Sequence, residues 1–257
     1  MKKIFKISSI IFLLAMTALI FYLSFQIEDR NEIQITVIEM SGNNYLGKDE
    51  YFKYAHLLDK SLYKFLSLPI LKDRMKKHPY VDDVDVQNDG NGKVTIILTE
   101  KKFNAILLHN NSDYLMSDNF ELLPVLPFTK LVDLPIITNP EELHDLKLFT
   151  SLKRNADILT GFKILDSMNL LNPGLFNGVT EIDFRNGGDI TLSFSFFDFP
   201  VIIGRKNEIK KTSYFTKLWN SLEGKEELTS IRYIDLRFNG NIFIGFPEPQ
   251  IEEDKNL

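Results

Sequence analysis

Short runs with apolar residues at every second position alternate along this chain with runs in which they recur every third or fourth, predicting strands and helices in turn. Ile33, Ile35 and Val37 alternate with polar residues over 32–40, and Ser41-Gly42-Asn43-Asn44 breaks that strand. Tyr51, Tyr54, Ala55 and Leu58 then give helical spacing over 48–58. A second helix is predicted over 70–77, with Ile70, Leu71 and Met75 inward, Lys72, Arg74, Lys76 and Lys77 outward, and Pro79 stopping it at His78. Val81, Val84 and Val86 mark the next strand, and Val94, Ile96 and Leu98 the one after it. Asn88-Asp89-Gly90-Asn91-Gly92 between them reads as a hairpin turn. The order strand, helix, helix, strand, strand makes a small three-stranded sheet with two helices on one face.

Past Ala105 the pattern turns to β. Short apolar pieces at 106–109, 114–116 and 122–125, separated by polar turns, suit a meander. Asn139-Pro140-Glu141-Glu142 has the chemistry of a helix start, and Leu143, Leu146, Phe149, Leu152, Ala156 and Leu159 would supply its buried stripe. The helical region ends by Asn172-Pro173-Gly174. Thr180, Ile182 and Phe184 alternate into Asn186-Gly187, with Ile190, Leu192, Phe194 and Phe196 alternating beyond it, which is a clear hairpin. A buried strand over 201–205 leads into an amphipathic helix over 208–222, whose Trp219 reads as core with Ile209, Phe215 and Leu222. In the last hairpin Ile234, Leu236 and Phe238 face one way, Asn239-Gly240 turns the chain, and Ile242, Ile244 and Phe246 face one way in the final strand.

The amino terminus follows neither period. From Ile7 to Ile27 the chain runs 21 residues without a charge, after Lys2, Lys3 and Lys6 and before Glu28 and Asp29. As a helix this would cross a hydrocarbon core of roughly 30 Å with the lysine side in the cytoplasm. A cleaved signal peptide begins in the same way, but its apolar core is shorter and ends at small residues. The exit side here carries Phe21, Tyr22, Leu23 and Phe25, which fit an uncleaved anchor. The expected fold class is therefore α+β: a single N-terminal transmembrane helix, a β-α-α-β-β domain, and a mainly antiparallel β domain with helices. Without the three leading lysines, 27 basic residues face 35 acidic ones, which disfavours a nucleic-acid partner. The absence of cysteine excludes a disulfide framework, so the exported part must rely on core packing.

Four segments carry a resemblance. The β-α-α-β-β order after a signal anchor, with His78-Pro79-Tyr80-Val81 at the helix-to-strand junction, resembles the POTRA domain of the FtsQ/DivIB bacterial cell-division family. That family continues to a Glu-Arg-x-Pro-x-Ala segment; Glu100 and Ala105 match it, whereas Phe103 stands where proline is expected. Leu134-Pro135-Ile136-Ile137-Thr138-Asn139 is similar to a Leu-Pro-x-Ile-x-Gly segment, with asparagine in place of glycine. Tyr233-Ile234-Asp235-Leu236-Arg237-Phe238 is close to the family's Tyr-Val/Ile-Asp-Leu-Arg-Tyr/Phe strand, and it follows a glycine-initiated unit at Gly204 as in that family. Over 141–178 the likeness is one of secondary-structure type alone.

The resemblance implies a cytoplasmic tail at 1–6, a signal anchor at 7–27, a POTRA domain at 33–102, a β domain at 103–246 and a flexible tail at 247–257. It implies a divisome scaffold in the inner membrane at the septum, its bulk periplasmic, binding FtsB and FtsL and through them regulating septal peptidoglycan synthesis by FtsW and FtsI. The terminal strand would receive a partner strand by β-augmentation. The expected contact residues are Arg232, Tyr233, Asp235, Arg237, Asn241, Ile242, Phe243, Ile244 and Phe246. Phe243 would face the partner and Ile242 the core. Asp235 and Arg237 read equally as a surface ion pair and as neighbours of the binding edge.

No catalytic constellation stands out. The four histidines, His56, His78, His109 and His144, are scattered, no metal-ligand spacing occurs, and G-x-S-x-G and H-E-x-x-H are missing. Asp82, Asp83, Asp85 and Asp89 invite a calcium reading, against solvated charge on a strand face. The basic face of 72–77 reads as solvated, or as a contact with acidic lipid. No cofactor, metal or catalytic residue is expected. The rival classes are a POTRA protein of outer-membrane assembly or secretion, which would need a β-barrel the chain has no room for, and an anchored exported hydrolase or ligand-binding protein.

Overall fold

The computed structural model describes residues 12–22, 34–130, 133–143, 145–238 and 240–247, and residues 12–22 form its first helix, α1. Among the described residues no helix is long and apolar enough to cross a membrane, which overturns the expected transmembrane helix over 7–27. Residues 1–11, 23–27, Ile33, His144, Asn239 and 248–257, on which other expectations fall, lie outside the described residues. What remains is α+β with mixed sheets.

Alternation along Val37–Ser41 (β1), Val81–Asn88 (β2) and Lys93–Glu100 (β3) turns Ile38, Val84, Val94, Ile96 and Leu98 to one buried face. The strands lie in the order β1-β3-β2, with β1 parallel and β2 antiparallel to β3. Lys48–Tyr54 (α2), a 3-10 turn at Lys60–Phe65 and Leu68–Lys76 (α3) cover that face through Tyr51, Phe52, Tyr63, Leu71 and Met75. α2 stops sooner than its apolar spacing suggests. His56 takes a φ of 56° and Leu57 N–H returns to the Phe52 carbonyl at 2.7 Å, so Leu58 leaves the helix and stays 56 % exposed. Glu100 closes this layer: its carboxylate accepts from the Asn44 and Tyr45 backbone N–H groups at 2.7 and 3.1 Å and from the Tyr51 hydroxyl. Burial first, then Glu100, pushes the Tyr51 hydroxyl pKa up.

Among the described residues the second sheet has nine strands. They are Phe103–His109 (β4), Ser112–Ser117 (β5), Leu122–Pro124 (β6), Ile136–Thr138 (β7), Val179–Asp183 (β8), Thr191–Phe194 (β9), Phe197–Ile202 (β10), Tyr233–Asp235 (β11) and Phe243–Gly245 (β12). The order is β12-β11-β10-β9-β8-β7-β4-β5-β6, with parallel pairs at β4–β7, β7–β8 and β10–β11. Ala156–Leu171 (α4), Pro173–Asn177 (α5) and Glu208–Leu222 (α6) pack on it, burying Ile158, Phe162, Leu165, Phe215 and Trp219 against Ile137, Ile182, Leu192, Val201 and Ile234. The inward stripe of α6 is Lys211, Thr212, Phe215, Thr216 and Trp219, so Ile209, expected in the core, is 40 % exposed. Phe196 falls in the turn after β9 and stacks on Trp219 from outside, 52 % exposed.

The helix expected from Asn139 onward does not form. Asn139 and Glu142 take φ values of 49° and 60°, and α4 begins at Ala156, where the Asn155 side chain accepts from Ile158 N–H at 2.9 Å. The segment is claimed by longer-range bonds instead. Glu141 N–H donates to the Asp157 carboxylate at 2.9 Å, and Leu122 N–H and Phe149 N–H bond the Thr150 and Leu122 carbonyls at 3.0 and 2.8 Å. Phe149, expected in the buried stripe, is thereby left 54 % exposed.

The two sheets share a joint. Phe103, Leu115 and Leu123 belong to the core of the first layer, and Tyr80 from that layer reaches across. Its hydroxyl receives Leu126 N–H at 2.8 Å and bonds Thr129 Oγ1 at 2.8 Å and the Pro124 carbonyl at 3.1 Å. Lys101 and Glu121 add an ion pair at 2.5 Å.

Candidate functional site

The nine-stranded sheet ends at β6 on one side and β12 on the other, and the two ends differ. The outer side of β6 is taken by residues 149–152: besides the Leu122 and Phe149 bonds, Leu152 N–H reaches the Phe120 carbonyl at 2.8 Å and Glu121 bridges Ser151. β12 pairs with β11 alone among the described residues, in the register Tyr233↔Gly245, Ile234↔Ile244 and Asp235↔Phe243. Backbone N–H and C=O groups on its outer side are thus free to pair with an incoming strand.

Local chemistry shapes this end. Gly240 takes a φ of 80° in the turn, and Asn241 N–H closes on the Phe238 carbonyl at 3.3 Å. Across the hairpin the Tyr233 ring lies over Gly245: a Cβ there would stand 2.2 Å from Tyr233 Cε1, so only glycine admits the ring. Tyr233, Phe238, Phe243 and Phe246 are 42, 53, 49 and 57 % exposed, and Phe238 meets Phe243 edge-on with centroids 5.0 Å apart. Aromatic side chains gathered at an exposed edge are what an interface core is made of.

The expected contact residues therefore divide. Arg232, Tyr233, Arg237, Asn241, Phe243 and Phe246 are exposed; Ile242 and Ile244 are half-buried against the core; Asp235 is buried. β12 is shorter than the Asn241–Phe246 edge expected from alternation, and β11 ends at Asp235, so Phe238 turns outward.

Asp235 and Arg237 are no surface pair. Arg237 Nη2 and Nε bond the Asp235 carboxylate at 2.6 and 3.0 Å, Arg237 N–H adds a bond at 2.9 Å, and Nη1 holds Asp189 at 2.9 Å. These bonds hold the Asp235 carboxyl below its usual range despite burial, and raise the Arg237 guanidinium. Gly204, at φ 64°, makes room: a Cβ there would lie 2.7 Å from Arg237 Cγ. The Asp-Leu-Arg segment thus rivets β11 to the turn before β9 and to the exit of β10, fixing the hairpin that carries the open edge.

Two features escape the sequence pattern. Arg205 forks onto the buried Asp157 at 2.5 and 3.1 Å and donates to the Gly188 and Phe184 carbonyls, which ties the start of α4 to the exit of β10 and raises the Arg205 pKa. Between α6 and the last hairpin lies a cleft of about 280 Å³ lined by Lys210, Tyr214, Leu236, Phe238 and Asn241, continuing into one of about 380 Å³ lined by Lys217, Leu218 and Ile242. Lys210, Tyr214 and Lys217 recur at helical spacing on α6, but nothing local says that the hairpin will face them. Asp82, Asp83 and Asp85 do not gather: no group of three or more His, Asp or Glu among the described residues could hold a metal ion.

No curated protein matches this sequence. The pattern of the cell division protein FtsQ/DivIB C-terminal domain matches residues 105–237, just over half of the chain, from β4 to the Arg237 that pins β11. The chain belongs to the FtsQ/DivIB family of cell division proteins.

Proposed function

We propose that the chain is a non-catalytic scaffold of the bacterial divisome that binds a strand of FtsB along β12, in a complex with FtsL, and so regulates septal peptidoglycan synthesis by FtsW and FtsI. The observation that carries this reading is the asymmetry of the sheet among the described residues, with one end covered by residues 149–152 and the other open and ringed by Tyr233, Phe238, Phe243 and Phe246. Strand addition draws affinity from main-chain bonds and specificity from alternate side chains. Phe243 and Arg237 would meet the partner directly, Ile242 and Ile244 would back the strand from the core, and Asp235 would act through Arg237. The 33–102 layer is assigned as a POTRA domain with other divisome contacts, on its β-α-α-β-β order, and 103–246 as the β domain that carries FtsB. The site of action is the division septum.

The test is Phe243→Lys. FtsB co-purification is expected to fall at least tenfold, about the effect of losing one interface aromatic, with the unfolding midpoint unchanged. Retention of FtsB by a folded Phe243→Lys protein would show that the edge is wrongly assigned. Depletion of the protein should give filaments without septa.

A further inference from the structure

Between α2 and α3 the chain exposes apolar side chains on a basic stretch of an otherwise acidic protein. Leu58, Leu62 and Phe65 are 56, 43 and 70 % exposed. The 3-10 turn explains why, since residues three apart eclipse one another there. Tyr63 and Leu66 go inward together, and Leu62 and Phe65 face water together. The turn is braced: Tyr63 donates its hydroxyl to the Leu57 carbonyl at 2.9 Å, and the Asp59 side chain accepts from Ser61 N–H at 2.8 Å.

Around this tip the charge is positive, against a net −5 for the whole chain. On α3, Asp73 is taken by Lys77 and Lys76 reaches Asp83, whereas Lys60, Lys64 and Lys72 form no ion pair among the described residues. Lys64 Nζ stands 4.9 Å over the Phe65 ring. Lysines beside a projecting aromatic can raise their ammonium groups to a phosphate layer while the ring enters below it. Three apolar side chains fall short of the roughly 800 Å² per partner of a standard protein interface, but with several charges they suffice for reversible lipid binding.

We propose that the 58–72 tip is a peripheral contact for an anionic phospholipid surface, with Leu62 and Phe65 entering the headgroup region and Lys60, Lys64 and Lys72 engaging lipid phosphates. This contact is separate from the β12 edge and does not depend on it.

The chain has no cysteine, so Ser67→Cys, at an exposed position whose side chain makes no capping bond, carries a single environment-sensitive NBD label in the full chain. Vesicles of equimolar phosphatidylcholine and phosphatidylglycerol should shift its emission to the blue, and vesicles of phosphatidylcholine alone should not. Lys60→Gln with Lys64→Gln should raise the lipid concentration at half-change roughly thirty-fold, and Phe65→Ser should abolish the shift, both with unchanged thermal midpoints. No shift with anionic vesicles, an equal shift with phosphatidylcholine, or indifference to the lysine substitutions would overturn the proposal. A shift produced by soluble polyglutamate but not by vesicles would overturn it in favour of an acidic protein.

Discussion

His78 offers a direct reading of how tightly the first layer is packed. It is 3 % exposed between the rings of Tyr51 and Tyr54, whose centroids lie 4.4 and 4.7 Å away, and its Nδ1 accepts from Tyr80 N–H at 3.1 Å. Burial pushes the imidazole down to about 4 from its ordinary 6.5. The unfolded chain therefore takes up a proton at pH values where the folded chain stays neutral. Stability from this residue is full above pH 6.5 and is lost as pH falls towards 4. Between about pH 7 and pH 5 the loss comes to roughly 2 kcal/mol. Asp235 does not interfere in that window, since its carboxyl, held below 3.8, gives up its contribution only at more acid pH. In His78→Asn the side-chain oxygen can still accept from Tyr80 N–H but does not titrate. Urea unfolding at the two pH values should show the parent losing about 2 kcal/mol more than the variant. Parallel pH profiles would mean that His78 is solvated or charged in the folded state, and the packing argument would be wrong.

Three further substitutions probe the joint and the rivets. Tyr80→Phe removes the acceptor of Leu126 N–H at the sheet junction and should cost about 1–3 kcal/mol in chemical unfolding; a change below about 0.5 kcal/mol would show that the hydroxyl does not bind the sheets together. Arg205→Ala leaves Asp157, whose side chain is 4 % exposed, without its cation, and should destabilise the second layer by about 3 kcal/mol, seen as a lower thermal midpoint. Gly204→Ala forces a side chain into a φ of 64° and against Arg237; about 1–2 kcal/mol of stability should go, together with the FtsB binding proposed above, and unaltered binding would separate the Arg237 rivet from the proposed edge.

How much of this was legible in the sequence varies with the range of the interaction that decides each element. The β2–β3 and β8–β9 hairpins follow from alternation and turn residues because both signals are local. Asn139-Pro140-Glu141-Glu142 misleads for the complementary reason: capping chemistry is present, but Asp157 and the edge of β6 offer the same backbone groups better partners. Asp235 and Arg237 read as a surface ion pair because the second carboxylate that Arg237 holds, Asp189, lies 48 positions away. The β12 residues are readable as a strand, whereas its place at the end of nine strands, and the α6 cleft beside it, arise only when β11 joins β10 in parallel. The uncharged run at the amino terminus is unmistakable as composition, yet among the described residues no helix is long and apolar enough to cross a membrane.

The strip at 149–152 that covers β6 has a consequence for stoichiometry. A sheet with two bare ends could stack indefinitely, each chain offering one edge and accepting at the other. Here, among the described residues, one end is already terminated by the chain itself and a single edge, that of β12, is left open. Two copies meeting at β12 would close as a symmetric pair and go no further, and a chain engaged in that way could not also hold a partner strand. If the proposed partner strand binds at β12, self-pairing and partner binding there would be competing, mutually exclusive states whose balance is set by the concentrations of the two strands.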